Sequence, residues 1–380
     1  MLKSSTVILS LILTLLYWSW PVFAEKISAV HHAVELSSEL TQHTLLLDVY
    51  LPHNYAAGRQ EPYPVLYTTA GDTRFEVLQA QIDWLSHTSF SPMPQLVIVR
   101  VPRLSFAGAE ALSDQQYYAL LAKVLRQEVQ PALNTRFNLA PFNIIEGYSS
   151  RGNLALALLQ HASGYFNAAV ILAPALELQP GDELANLQQA LKTHSLVNYL
   201  YLSLGNFANN RRHFEQLKSA ANTVNKGQPD YHFDDLSTEH YHSSAMIGLE
   251  RGLRYLFADV KVTDFSPFVD SGVSGLQAYH QKLTDKYGYH IDIADNLLVL
   301  GQYFFEHQMP EHGQQTFAVL FKTYPQQLIY QLRYAQAMLA AGLTRQAQAQ
   351  LKHTLKLATN AGDSELQQYV SQLLSQVQLN

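Results

Sequence analysis

With 380 residues the chain has room for two domains, or for one domain and an appendage. Apolar residues make up 47% and charged residues only 15%, which leaves ample material for a core. The net charge is −6 and Lys and Arg are scattered without a basic run, which excludes the electrostatic footprint of a nucleic-acid-binding protein. There is no cysteine, so neither disulfides nor thiolate chemistry is available.

The N-terminus carries the first signal. Lys3 precedes an apolar run from Val7 to Trp18, and Pro21, Val22, Phe23 and Ala24 follow. A basic start, an apolar stretch and small residues near its end predict a secretory signal peptide over residues 1–24, cut after Ala24. The alternative is an uncleaved membrane anchor. No later run is long enough to span a membrane, so no stable insertion is expected after cleavage. Export without disulfides points to a bacterial periplasmic or secreted protein.

Strands and helices then alternate. Thr44 to Leu51 reads as a strand stopped by Pro52. Pro64 to Thr69 is short and apolar on both faces, as a central parallel strand should be. Ala70, Gly71 and Asp72 end it, and a helix is expected from Phe75 to Trp84. Gln95 to Val101 is a third strand. Asp114 is expected to cap a helix that runs through Tyr117, Leu121, Val124, Leu125 and Val129 on one face. Further strands are expected at Asn143–Ile145, Ala168–Leu172, Tyr199–Gly205 and Tyr231–Phe233, with helices over 184–192, 211–224 and 245–257. The alternation predicts a mostly parallel sheet covered by helices on both faces, with ligands at the carboxyl ends of its strands.

One stretch, Asn143 to Leu156, concentrates the chemistry. An apolar strand leads into Gly147, Tyr148 and Ser149, and a run of Leu and Ala then starts a helix. A serine raised on such a turn has the form of the nucleophile elbow of α/β-hydrolases. The amide of Ser150 lies at the positive end of that helix, where it can stabilise an oxyanion. The usual pattern is G-x-S-x-G. Here Arg151 occupies the second glycine position and Gly152 follows one place later, so the Arg side chain must point outward or the turn must differ.

Together with the segment Leu47 to Pro52, the segment Tyr63 to Tyr67 leading to Gly71 and Asp72, and the segment Met93 to Val99, this elbow resembles the putative-esterase branch of the α/β-hydrolases. That branch includes esterase D-like and enterochelin-type siderophore esterases, and the likeness covers residues 30–258. It implies an α/β-hydrolase fold and a serine nucleophile. It also implies a histidine base in a loop before the last helix, where His242, Ser243 and Ser244 fit best and His240 is the fallback. An imidazole suits the task because it must take the serine proton and return it near neutral pH. The amide of Ala70 or of Gly71 would supply the second oxyanion donor. Three features depart from the family. The acid usually found after the strand ending at Gly205 is replaced by Asn206, Phe207, Ala208 and Asn209. Asp234, Asp235 or Glu239 would then orient the histidine, or the site is a Ser–His dyad. The family's Leu-Asp-Gly and Ser-Pro-Ser are here Thr69, Ala70, Gly71 and Ala173, Pro174, Ala175.

Beyond residue 258 the character changes. Residues 259–274 read as a linker, and the rest is helical without strand signals. Leu300, Gly301, Phe304, Gly313, Phe317, Leu320 and Pro325 follow tetratricopeptide spacing, and Tyr334, Ala335, Met338, Gly342, Ala347 and Leu351 repeat it about 34 residues later. Leu366 to Leu374 would cap the stack. The expectation is an esterase domain over 25–258 acting on a small ester, with an all-α repeat-like region over 275–380 available to a protein partner. No cofactor is expected. His31 and His32 lack a third ligand at useful spacing, so they read as a solvated loop and no metal site is expected. The competing expectation is a degenerate hydrolase that only binds, through the repeats.

Overall fold

In the structure, a computed structural model, residues 28–88, 91, 93–222 and 230–378 are described. The expected signal peptide lies outside them. Two compact units are formed. The first comprises the described residues up to Val260 together with Asp285–His290, and the second comprises Lys261–Thr284 and the described residues from Ile291 onward.

The first unit is built on one eight-stranded sheet. Its elements are β1 (Val30–Ser38), β2 (His43–Leu51), β3 (Tyr63–Thr68), α1 (Asp72–Ser86), β4 (Val97–Arg100), α2 (Asp114–Val124), α3 (Gln130–Asn134), β5 (Leu139–Tyr148), α4 (Ser150–His161), β6 (Ala168–Leu172), α5 (Gly181–Lys192), β7 (Tyr199–Leu204), α6 (Arg211–Ala221), β8 (Asp230–Asp235) and α7 (Tyr241–Leu256). The spatial order is β1-β2-β4-β3-β5-β6-β7-β8. β2 is antiparallel to β1 and β4, and every pair from β4 to β8 is parallel. β3, β6 and β7 are buried along their whole length, which explains their unbroken apolar sequences. Phe142 anchors one side of the core, with its ring 5.2 Å from Tyr287 and 6.3 Å from Phe257. This is an α/β fold of hydrolase type.

Three local expectations need correction. His31 and His32 lie on the edge strand β1 rather than in a loop, and His31 Nε2 sits 2.9 Å from Asp48 Oδ1 on β2. Most of β1 is exposed, so its sequence shows no apolar run. α2 is capped by Ser113, not Asp114. The Ser113 side chain accepts from Gln116 N–H, and the Gln116 side chain accepts from Ser113 N–H. α7 begins at Tyr241, four residues earlier than expected, so His240 is its N-cap and His242 lies in its first turn. No glycine or proline between 241 and 247 stops the helix from starting there.

The second unit is all helical: α8 (Gly272–Tyr287, whose last three residues count with the first unit), α9 (Ala294–Glu306), α10 (Pro310–Thr323), α11 (Ile329–Ala340), α12 (Thr344–Ala361) and α13 (Ser364–Gln378). α9 and α10 pack closely because their small residues face large ones. A Cβ on Gly301 would come within 2.8 Å of the Phe317 ring, and one on Gly313 within 2.6 Å of the Phe305 ring. Leu300, Phe304, Phe317, Leu320, Met338 and Ala347 share one buried cluster. Among the described residues no helix is long and apolar enough to cross a membrane.

Candidate active site

The elbow begins with a steric requirement. β5 and α4 approach so closely that a Cβ on Gly147 would lie 2.5 Å from the Arg151 carbonyl oxygen, 2.8 Å from Thr69 Oγ1 and 2.9 Å from Ala155 Cβ. Only glycine fits. Ser149 then takes φ 57°, ψ −130°, a strained left-handed conformation between strand and helix. The surrounding backbone holds it there. Its N–H donates to Leu172 O at 3.0 Å, and its carbonyl accepts from Gly152 N–H at 2.8 Å.

The odd position of the second glycine has a physical reason. A Cβ on Gly152 would meet Pro174 Cβ at 3.2 Å and Gly147 O at 3.3 Å, so the close approach of the segment after β6 falls at 152. Arg151 is exposed and points outward. With Ser150 and Thr69 it lines a cavity of about 710 Å³ that Leu104, Phe106, Tyr117 and Tyr118 also line.

Two of the amides expected to face an oxyanion have no internal acceptor among the described residues. Ser150 N–H opens α4 and has no acceptor among the described residues. After β3, Ala70 N–H donates to Thr68 Oγ1 at 3.0 Å. Gly71 N–H has no partner among the described residues, which makes it the available one of the expected pair. Gly71 is the N-cap of α1, with its carbonyl accepting from Arg74 and Phe75 N–H.

The histidines stand at the start of α7. Tyr148, next to Ser149, donates its hydroxyl to Tyr241 O at 2.6 Å, and the two rings pack 5.0 Å apart. This contact ties the first turn of α7 to the elbow. His240 and His242 are both exposed, and the His242 ring stands edge-on to Tyr241 at 5.1 Å. No hydrogen bond joins either ring to Ser149 Oγ among the described residues.

None of the expected acids holds a histidine. Asp234 accepts from Tyr201 Oη at 2.6 Å and pairs with Arg251 at 3.1 Å. Asp235 accepts from Arg211 at 2.9 Å and from Ser237 N–H, and the Arg211 guanidinium pulls its carboxyl down to about 2. Glu239 makes no side-chain hydrogen bond among the described residues. Where the family acid would stand, the Phe207 ring packs on Tyr241 at 5.1 Å.

Glu146 is a further polar residue at the site. It is fully buried on β5, accepts from Thr68 Oγ1 at 2.7 Å and pairs with Arg74 Nη2 at 2.5 Å. Spacing assigns it no role. The signal that marks it is a carboxylate inside an apolar strand, one place before the elbow glycine.

No curated protein sequence matches the chain. In fold it is similar to an IroE-like serine hydrolase from Shewanella oneidensis, 20% identical, with a TM-score of 0.59 over 78% of this chain and 100% of that one. It is also similar to an uncharacterised protein from Capnocytophaga ochracea, 14% identical, with a TM-score of 0.61 over 92% and 100% of the two chains. At these identities the likeness speaks for the fold. Sequence supplies the rest: residues 37–248 match the model of the family described as putative esterase, more than half of the chain, and the protein belongs to that family.

Proposed function

We propose that the protein is a serine esterase that cleaves small carboxylic esters through an acyl-enzyme at Ser149. The observation that carries this reading is the strained conformation of Ser149 at the carboxyl end of β5, followed by the Ser150 N–H, which has no acceptor among the described residues. Ser149 Oγ would attack the ester carbonyl while His242 takes its proton, with His240 as the fallback base. The amides of Ser150 and Gly71 would hold the oxyanion. The protonated histidine would give its proton to the leaving alcohol, and a water activated by the same ring would release the acid. No carboxylate is assigned to the histidine, so the base works in a dyad. Residues 1–24 are read as a signal peptide for export to the periplasm or beyond, and the helical unit is read as tetratricopeptide-like with a protein partner.

A second reading has its own observation. Asp234 and Asp235 are committed to arginines, and an apolar ring stands in the place of the family acid. That favours a binding protein on a hydrolase fold. Labelling of the mature protein with a fluorophosphonate separates the two. The esterase reading expects labelling that is lost in Ser149→Ala and weakened in His242→Ala. A folded wild-type protein that takes no label would leave binding as the function.

A further inference from the structure

The nucleophile turn and the oxyanion segment are joined by a charge pair beneath them. Glu146 and Tyr148 flank Gly147 and, two apart on one strand, project to the same face. Arg74 lies three residues after Gly71, in the first turn of α1. Its guanidinium touches both. Nη2 pairs with Glu146 Oε1 at 2.5 Å, and the group sits 5.3 Å from the centre of the Tyr148 ring. One side chain from the oxyanion segment therefore grips the elbow strand on either side of its glycine.

The hydrogen-bond directions carry the effect to the amides. A threonine hydroxyl has one hydrogen. Thr68 gives it to Glu146 Oε2 at 2.7 Å, so only lone pairs remain to face Ala70 N–H, which donates to that oxygen at 3.0 Å. Ala70 N–H is thus turned back onto the strand, and Gly71 N–H is the one left to a ligand. Thr69 closes the other side: its N–H donates to Glu146 O at 3.0 Å and its hydroxyl to Arg151 O at 2.9 Å. Tyr148 extends the chain of contacts to the histidine helix through Tyr241 O. A carboxylate at the foot of the site would also oppose a developing oxyanion, and Arg74 neutralises it.

We propose that Arg74 and Glu146 are positioning residues that set the oxyanion hole against Ser149. Neither touches substrate. The proposal rests on the esterase reading for its catalytic consequence, and on Thr68 and Ala70 for its structural one.

The test uses the full mature chain and a 4-nitrophenyl ester of a short acid. Glu146→Gln, Arg74→Gln, Arg74→Lys and the double Arg74→Gln/Glu146→Gln variant are compared for kcat, KM, fluorophosphonate labelling rate and thermal midpoint. Displacement of an amide by about 1 Å costs about 100-fold in rate. The expected result is therefore a kcat lowered about 10- to 100-fold with KM within about twofold. Arg74→Lys should recover part of the loss, and the double variant should fall no further than the worse single one. A folded variant without the pair that keeps wild-type kcat overturns the proposal, as does a lowered midpoint with kcat unchanged. Arg74→Gln strands a buried carboxylate and can fail to fold; the neutral double variant then decides. Should the wild type neither label nor turn over the ester, the esterase reading alone falls, and hydrogen exchange decides the geometry. In Glu146→Leu the Ala70 amide should exchange at least about tenfold faster, because Thr68 loses its acceptor. Unchanged exchange there overturns the proposal independently of activity.

Discussion

Gly71→Pro deletes one backbone donor at a φ that suits proline. Gly71 has φ −73°, within the range that proline imposes, and its N–H has no acceptor among the described residues. The substitution therefore forfeits no internal hydrogen bond. The Gly71 carbonyl still caps α1 through Arg74 and Phe75 N–H. What disappears is the amide assigned to the oxyanion. Loss of one such donor lowers kcat by about 100- to 1,000-fold, or about 2.7–4 kcal/mol of barrier. Gly71→Ala is the control. A Cβ there meets nothing within 4 Å and the amide stays, so activity should remain within about twofold. The assay is kcat and KM on a 4-nitrophenyl ester, with a thermal midpoint for each variant. A folded Gly71→Pro protein with kcat within about threefold of wild type would refute the assignment, and with it the argument that Thr68 turns the Ala70 amide away.

Two further predictions concern strain and charge. Ser149→Gly should abolish labelling yet raise stability by about 1 kcal/mol in denaturant titration, because glycine takes φ 57° without the strain a serine bears there. Asp295, on the first turn of α9, has its carboxyl pushed up to about 6, first by burial and then by Asp292, against the pull of Lys261. Its proton is held more tightly in the folded state, so its contribution to stability is fully present below the ordinary carboxylate value and is lost as pH rises through about 6. Asp295→Asn should then stabilise the protein at pH 7.5 by at most about 3 kcal/mol and leave it unchanged at pH 3.5, as read by denaturant midpoints.

The sheet was legible where burial leaves an unbroken apolar run. Val65 to Tyr67, Val97 to Val99 and Ala168 to Leu172 are covered on both faces, and their sequences say so. β1 was not, because an edge strand with one face in water mixes His31, His32 and Glu35 into its pattern. The elbow was legible because Gly147 and Ser149 have local causes, a close approach and a strained turn. Gly152 was harder: what crowds it is Pro174, which sequence separation hides. The same limit hid the choice between Ala70 and Gly71. It depends on a hydroxyl two residues back whose hydrogen is drawn to Glu146 on the next strand.

The replaced acid leads to the last prediction. For Asp235 to orient a histidine it would have to leave Arg211 and Ser237, and Asp234 would have to leave Tyr201 and Arg251. Each already has the partners a carboxylate needs. The place after β7 holds Phe207, half exposed, with its ring 5.1 Å from Tyr241, and residues 206–209 include no carboxylate. The start of α7 is fixed by other means. Ser244 N–H donates to His240 O at 2.9 Å, and Tyr148 Oη donates to Tyr241 O at 2.6 Å. These bonds hold the backbone that carries both histidines, so a base placed there depends on helix geometry rather than on a third charged group. Asp234→Asn and Asp235→Asn should each keep kcat within about threefold, whereas neutralising a triad acid costs about 10,000-fold. Asp235→Asn should also cost less than about 1 kcal/mol of stability, since its pair with Arg211 is exposed. A loss of 1,000-fold or more in either variant, with folding intact, would identify the missing acid and replace the dyad with a triad.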